Sequence, residues 1–324
     1  MVRRIWRTEV RPTLGANTGR TVFPIIPGCH AVCKHVALPL PLCMAMLGSD
    51  MNLALWKKAV SDAWLTLVAS CVLLILFCWL FVWLMSSLKV GAWSSLLNLL
   101  PDFVQPIVGV PIDKLASPAG QLSILFTHIV TILVCVGWAG GRGSDSISGE
   151  IGRGTMDLIL SLPVWRFSVM AVPAVVAAVG AAVLAASVWL GLAIALLCVR
   201  FPHSPPLGQF VPGAVNLFAM TFCFTGITTF ISSWNRDRWR TISLAGGFFV
   251  VSLILKFVAR MWPGGRWLGH LSFLSSFQPQ ELILSPSREV WAGLHYDVTL
   301  LAIGLLSYAV AAAVFWWRDI PAPR

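Results

Sequence analysis

The sequence predicts an all-α integral membrane protein that crosses the bilayer six times, and three observations carry that prediction. Of its 324 residues, 57 % are hydrophobic and only 11 % are charged, with a mean hydropathy of +0.82. A soluble domain carries about 25 % charged residues, so this chain lacks the polar surface to cover itself in water. The second observation is a series of tracts free of Asp, Glu, Lys and Arg: residues 63–88, 115–141, 167–199, 201–235 and 298–317, with 241–259 broken only by Lys256. A spanning helix needs about 20 apolar residues, so each tract supplies one span. The third is that no tract shows the roughly ten-residue polar–apolar alternation of membrane β-strands. The 16 tryptophans against 2 tyrosines agree, because Trp is enriched where the bilayer core meets its headgroups.

Residues 1–50 read unlike the rest, with Arg3, Arg4, Arg7, Arg11 and Arg20, several prolines and no sustained hydrophobic period. Their one apolar run, VALPLPLCMAML, is broken by Pro39 and Pro41, which argues against a secretory signal. The string CHAVCKH (Cys29–His35) holds two Cys and two His. Thiolate and imidazole suit zinc, but this spacing matches no standard finger, and no metal site is assigned. The segment reads as a disordered extension, or as sequence ahead of a true start at Met51, with the membrane domain at 51–324.

From Met51, MNLALWKKAVSDAWLTL places Leu53, Trp56, Val60 and Trp64 on one helical face and Lys57, Lys58, Ser61 and Asp62 on the other. That pattern predicts an interfacial elbow helix leading into the first span, with Lys58 and Asp62 spaced for an i,i+4 pair. The six span cores are placed at 63–85, 121–138, 168–190, 213–233, 241–259 and 298–317.

Six spans put both termini on one side. That side carries Lys57, Lys58, Arg142, Arg153, Arg166, Arg236, Arg238, Arg240, Arg318 and Arg324, against Lys89, Lys114, Arg200, Arg260, Arg266 and Arg288 on the other. The positive-inside bias makes the first side cytoplasmic. The expected location is the cell's inner (cytoplasmic) membrane. The formal net charge of +10 then matches anionic lipid, and no nucleic-acid partner is expected.

Within the spans, Lys256 lies close enough to the outer end for its stem to snorkel to the interface. His128 has no evident carboxylate partner and reads as a buried, hydrogen-bonded histidine. Asp102, Asp113, Glu281, Glu289 and Asp297 read as solvated loop carboxylates. Cys71, Cys78, Cys135, Cys198 and Cys223 behave as small hydrophobes. The run Ala174–Ser187 lets helix backbones approach closely.

The segment GEIGRGTMDLILSLPVWRF (Gly149–Phe167) follows a glycine- and serine-rich exit, AGGRGSDSIS, from the second span. Thr155 is a good N-cap, and Asp157 falls in the first turn, where a carboxylate favours the positive helix end. Leu158, Ile159 and Leu162 share a face, and Pro163 should end the helix at Leu162. A two-turn helix is too short to be stable alone, so it needs a surface to dock into. Short amphipathic helices also occur as ordinary interfacial links between spans.

In order, Glu150, Arg153, Gly154, Thr155, Asp157, Leu158, Leu160, Ser161, Pro163, Val164 and Arg166 resemble the first cytoplasmic loop of the ABC-2 class of ABC transporter permeases, which reads E-x-x-[RK]-G-T-x-[DE]-x-L-L-[SA]-x-P-[VL]-x-R; Ile159 replaces a common leucine. The resemblance extends more loosely from Met51 to Trp317, and LSFLSSFQPQELIL (Leu271–Leu284) looks like the outer segment such permeases carry before their last span. It implies a six-helix bundle with an elbow helix and a short cytoplasmic coupling helix. That helix would sit, through Glu150, Arg153, Gly154, Thr155, Asp157, Leu158, Ile159, Ser161, Leu162, Pro163 and Arg166, against a separate ATP-binding subunit. By the same resemblance ATP and Mg²⁺ are held by that partner, a second permease subunit completes a homo- or heterodimer, and the transport direction is export. The chain itself shows no G-x-x-x-x-G-K-[ST] phosphate loop, and is expected to be a non-catalytic subunit.

Two other classes fit less well. A stand-alone secondary transporter or channel should carry several charged groups at the bilayer midplane or an internal repeat, and Lys256 is the one fully charged group within a predicted span. An intramembrane enzyme should show a nucleophile–base pair or metal cluster, and neither G-x-S-x-G nor H-E-x-x-H occurs.

Overall fold

The computed structural model describes residues 40–87, 110–156, 166–199, 205–284 and 290–317. The chain divides into two compact units, Met1–Leu47 and Gly48–Arg324. Of the first, the described residues are helical; the second is the membrane unit. In chain order the helices are α1 (Leu40–Ser87), α2 (Ile112–Leu115), α3 (Pro118–Thr127), α4 (Ile129–Ser144), a π-helical turn (Asp145–Gly149), α5 (Glu150–Gly152), α6 (Arg166–Cys198), α7 (Val211–Trp234), α8 (Arg238–Met261), α9 (Leu268–Leu271), α10 (Pro279–Leu284) and α11 (Val290–Trp317).

Six stretches are helical, long and apolar enough to cross a membrane: Leu53–Ser87, Pro118–Gly152, Phe167–Cys198, Leu207–Trp234, Arg238–Met261 and Gly293–Trp317. They contain all six predicted cores. The fourth, on α7, is 67 % buried within the chain while the fifth, on α8, is 11 % buried, so α7 is the axis of the bundle and α8 faces outward. Around α7 pack α11, α4, α6, α8 and α10.

Small residues set the closest approaches, as expected where packing and not water drives helix association. A Cβ on Gly226 of α7 would meet the Gly304 carbonyl oxygen of α11 at 2.6 Å. In the predicted small-residue run, Gly180 leaves room for the ring of Trp138, and the Trp138 indole N–H donates to the Ala177 carbonyl at 3.1 Å. Cys78, Cys135 and Cys223 are buried free thiols, as small hydrophobes should be.

Several expectations are corrected. Among the described residues the predicted elbow is not separate from the first span: Leu53–Ser87 is one helical stretch. Its apolar residues Leu53, Val60 and Trp64 are exposed on the outside of the unit, while Lys58 turns inward to Glu150, with both Nζ–Oε distances at 2.8 Å, and not toward Asp62. Of the four polar residues on that stretch Lys58 alone turns inward, while Lys57, Ser61 and Asp62 are exposed, as the apolar face is.

The second span is interrupted. His128 has extended backbone (φ −64°, ψ 142°), closing α3 and opening α4. Its Nδ1 accepts from the Val130 N–H at 3.3 Å, and its ring lies 4.7 Å from Phe77 and 5.8 Å from Phe81. The Thr131 hydroxyl donates to the Leu125 carbonyl at 2.8 Å, which satisfies a group the break would orphan. His128 is thus hydrogen-bonded as expected, but half-buried and structural.

The glycine- and serine-rich exit AGGRGSDSIS is helical through α4 and the π turn. One of its glycines is there for contact: a Cβ on Gly143 would meet Thr228 Cβ at 2.6 Å, whereas Gly140 and Gly141 have nothing within 4 Å.

At the other end of the bundle, residues 263–284 fold back onto the helices. Lys256 does not snorkel outward. Its ammonium donates to the Phe277 carbonyl at 2.7 Å and lies 5.5 Å from the Phe277 ring. The Ser272 hydroxyl donates to the Ser252 carbonyl at 2.6 Å, and the Gln278 N–H donates to Asn216 Oδ1 at 2.9 Å. Asp297, expected in a solvated loop, is buried within α11 and accepts from the Asn216 amide at 2.6 Å; the burial is tolerated because a partner meets the carboxylate. Asp113 is exposed, as expected. Asp102 and Glu289 lie outside the described residues. Lys256→Met keeps the stem's volume and removes the charged donor, a hydrogen bond of about 1.5 kcal/mol. Hydrogen exchange at the Phe277 and Gln278 amides should rise roughly tenfold; unchanged exchange would show that Lys256 does not hold this segment.

Candidate functional site

The predicted segment begins where the second span ends, and the π turn Asp145–Gly149 prepares it. A π turn inserts one residue into the α-helical register and is characteristic of functional positions. Here it is stabilised by a buried hydroxyl network. The Ser148 N–H donates to Ser232 Oγ at 2.9 Å, Ser232 Oγ donates to the Ser144 carbonyl at 3.2 Å, and Thr241 Oγ1 donates to Ser148 Oγ at 3.0 Å. Ser144, Ser148, Ser232 and Thr241 are fully buried. A buried polar network whose members all find partners rigidifies its surroundings, and this one ties α4 to α7 and α8.

On the rim of that network sits a knot of charge. Glu150 receives Lys58 of α1 and Arg153 at 2.8 Å each, together with the Thr155 hydroxyl. Asp145 receives Arg142 at 2.8 Å, Arg153 at 3.1 Å and Arg238 at 3.3 Å. Partial burial works against the charge of Arg153, yet its hydrogen bonds to Glu150 and Asp145 outweigh this, and its pKa lies above the ordinary arginine value. Four cations from three separate stretches of chain therefore share two carboxylates. Lys58, Arg142, Arg153 and Arg238 were assigned to one side of the membrane, and the ion pairs bring them to one end of the bundle.

Beyond the knot the chain turns at Gly154, whose φ of +70° is the left-handed conformation that glycine adopts without strain. Met156 is already helical and is buried, 2 % exposed, among Ile147, Val169, Met170, Ala311 and Phe315. It pins the chain just past the turn to the bundle.

Of the predicted site residues, Glu150, Arg153 and Thr155 meet in one place and Gly154 makes the turn. The Thr155 hydroxyl bonds back to Glu150. Asp157, Leu158, Ile159, Ser161, Leu162 and Pro163 lie outside the described residues. Arg166 opens α6. Sequence reasoning missed Asp145, Lys58, Arg142 and Arg238 as members of the site. The i,i+3 spacing of Arg142 and Asp145 was a local signal for one pair. Nothing local announces a Lys58–Glu150 bond across 92 positions.

What this arrangement can do is mechanical. It fastens the base of the segment to α1, to the end of the second span and to the start of α8. Among the described residues no group of three or more His, Cys, Asp or Glu could hold a metal ion; Cys29–His35 lie outside them.

A search of curated proteins returned no match. A family model described as ABC-2 family transporter protein matches residues 56–318, a stretch that reaches all six spans and contains the whole charged knot. With that match over most of the chain, on an all-helical six-span membrane bundle, the chain belongs to the ABC-2 family of transporter proteins, as a membrane-embedded permease.

Proposed function

We propose that this permease is the membrane subunit of an ATP-driven exporter, coupled through residues 150–166 to a separate ATP-binding subunit that holds ATP and Mg²⁺. In this reading the basic end of the bundle and both termini face the cytoplasm, the protein resides in the inner (cytoplasmic) membrane, and a second permease subunit, identical or related, completes the path. The observation that supports it best is the charged knot. Lys58 on Glu150 and Arg238 on Asp145 lash the base of the segment to two other helices. A load applied to the segment by a closing ATPase would therefore move several spans together, where an unanchored loop would only bend.

The test is affinity purification of the tagged protein from its native membranes, with and without Asp157→Lys plus Leu158→Asp. An ATP-binding subunit should co-purify with the native chain and be depleted at least tenfold with the double variant. A well-folded native protein that purifies with no nucleotide-binding partner would overturn the reading and favour a transporter or channel that works alone.

A further inference from the structure

The fourth and fifth spans are joined by a link of three residues, Asn235–Asp237. α7 and α8 have 24 residues each, about 36 Å at the α-helical rise, a little more than the roughly 30 Å core of a bilayer. Their joined ends therefore clear the core by only a few ångströms, and so short a link cannot carry the turn beyond the headgroup layer. Its backbone is fixed from within. The Asn235 side-chain amide donates to the Ile231 carbonyl at 3.0 Å and closes α7, while Asp237 Oδ1 accepts the Trp239 N–H at 3.0 Å and caps α8.

What the turn presents outward is aromatic and basic. Trp234 and Trp239 are 69 % and 75 % exposed. Arg236 is exposed and enters no ion pair among the described residues. The Arg240 side chain is 80 % exposed and comes no closer than 3.9 Å to Asp237. Three arginines against one aspartate leave Trp234–Arg240 with a surplus of two positive charges. Arg238 reaches Asp145 at 3.3 Å, but that carboxylate also faces Arg142 and Arg153, so it does not cancel the surplus.

We propose that this turn is a docking surface for anionic phospholipid, with headgroup phosphates at Arg236 and Arg240 and the rings of Trp234 and Trp239 at the edge of the bilayer core. Depth and charge together select this occupant. At headgroup depth the available anions are those of lipids, Trp is enriched at that boundary, and these two cations are not spent on buried carboxylates. An acidic protein partner would have to enter the headgroup layer to reach Arg236. The surface also adjoins the candidate site. A Cβ on Gly152 would lie 3.9 Å from the Arg236 carbonyl oxygen, so lipid held here sits beside the base of the 150–166 segment. The proposal rests neither on the docking of an ATP-binding subunit nor on which face of the membrane is cytoplasmic.

The experiment is native mass spectrometry of the full chain in neutral detergent, titrated with phosphatidylglycerol or phosphatidylcholine and with no ATPase present. Phosphatidylglycerol should be retained at least fivefold better. Arg236→Gln and Arg240→Gln should each weaken that retention roughly fivefold, as expected for one cation near a headgroup. Trp239→Ala, which keeps every charge, should weaken it too. Lys114→Gln, which removes an exposed cation of α2 ahead of the second span, should not. Equal retention of the two lipids would overturn the proposal, as would a Lys114→Gln loss equal to that of Arg236→Gln. Unchanged retention in Trp239→Ala would overturn the part given to the rings. If Arg236→Glu plus Arg240→Glu keeps phosphatidylglycerol but loses a protein that co-purifies with the native chain, the turn belongs to that protein and the proposal is overturned as well.

Discussion

Gly226→Leu is expected to abolish folded protein, with no monodisperse peak after extraction in mild detergent, while Gly247→Ala extracts as well as the native chain. The contrast isolates one contact. At Gly226 the first side-chain carbon would already stand 2.6 Å from the Gly304 carbonyl oxygen, and backbone on the facing helix cannot swing aside. Even Gly226→Ala must push α7 and α11 apart, at about 1–3 kcal/mol. Leucine adds three carbons in the same place, along the most buried span of the bundle. Gly247 has nothing within 4 Å, so alanine there gains the usual helix-propensity benefit of roughly 0.5–1 kcal/mol. Should Gly226→Leu extract normally, the α7–α11 crossing described above would be wrong.

Glu150→Ala is the second large effect, and it should strike activity harder than stability. The carboxylate holds Lys58, Arg153 and Thr155 at once. Its side chain is only 12 % exposed, but the side chains of Lys58 and Arg153 are 40 % and 46 % exposed and can regain water when released. The loss is therefore smaller than the roughly 3–5 kcal/mol of a broken buried pair, on the order of 1–3 kcal/mol. Transport by the assembled complex should fall at least tenfold, because the segment is no longer lashed to α1. A double-mutant cycle with Lys58→Ala gives the sharper reading. The two changes should be non-additive by about 0.5–2 kcal/mol, and additivity within roughly 0.3–0.5 kcal/mol would show that the pair contributes nothing.

The spans were legible because lipid imposes a rule on composition: about 20 residues without charge. That rule marks where a helix may lie, and says little of where it stops or breaks. Span two stops late because Gly143 and the Ser144–Ser148 hydroxyls, loop-like in composition, find partners on α7 and α8. It breaks at His128, which carries neither of the usual breakers, since neither Pro nor Gly stands there. Asp297 ended the charge-free tract and so looked like loop, yet Asn216, 81 positions away, satisfies it inside a helix. The amphipathic start of α1 gave no sign that Lys58 would leave Asp62 for Glu150, because periodicity says which residues share a face and not which distant group one of them meets. The same limit holds at the candidate site. Glu150 and Arg153 stood out by motif, but their partners Lys58 and Asp145 became visible only once the chain was folded.

The two breaks in span two leave α4 as a straight 16-residue piece, Ile129–Ser144, with an extended residue at one end and a π turn at the other. Its length is about 24 Å at the α-helical rise, most of a bilayer core. Its two ends differ: the extended backbone at His128 interrupts the helix, while the π turn is held fast by the buried serine and threonine hydroxyls. Below it lies the charged knot. Above it is α3, where Gln280 of the folded-back segment bonds Thr127 at 3.0 Å. One helix thus stands between the charged knot and the folded-back segment at the other end of the bundle.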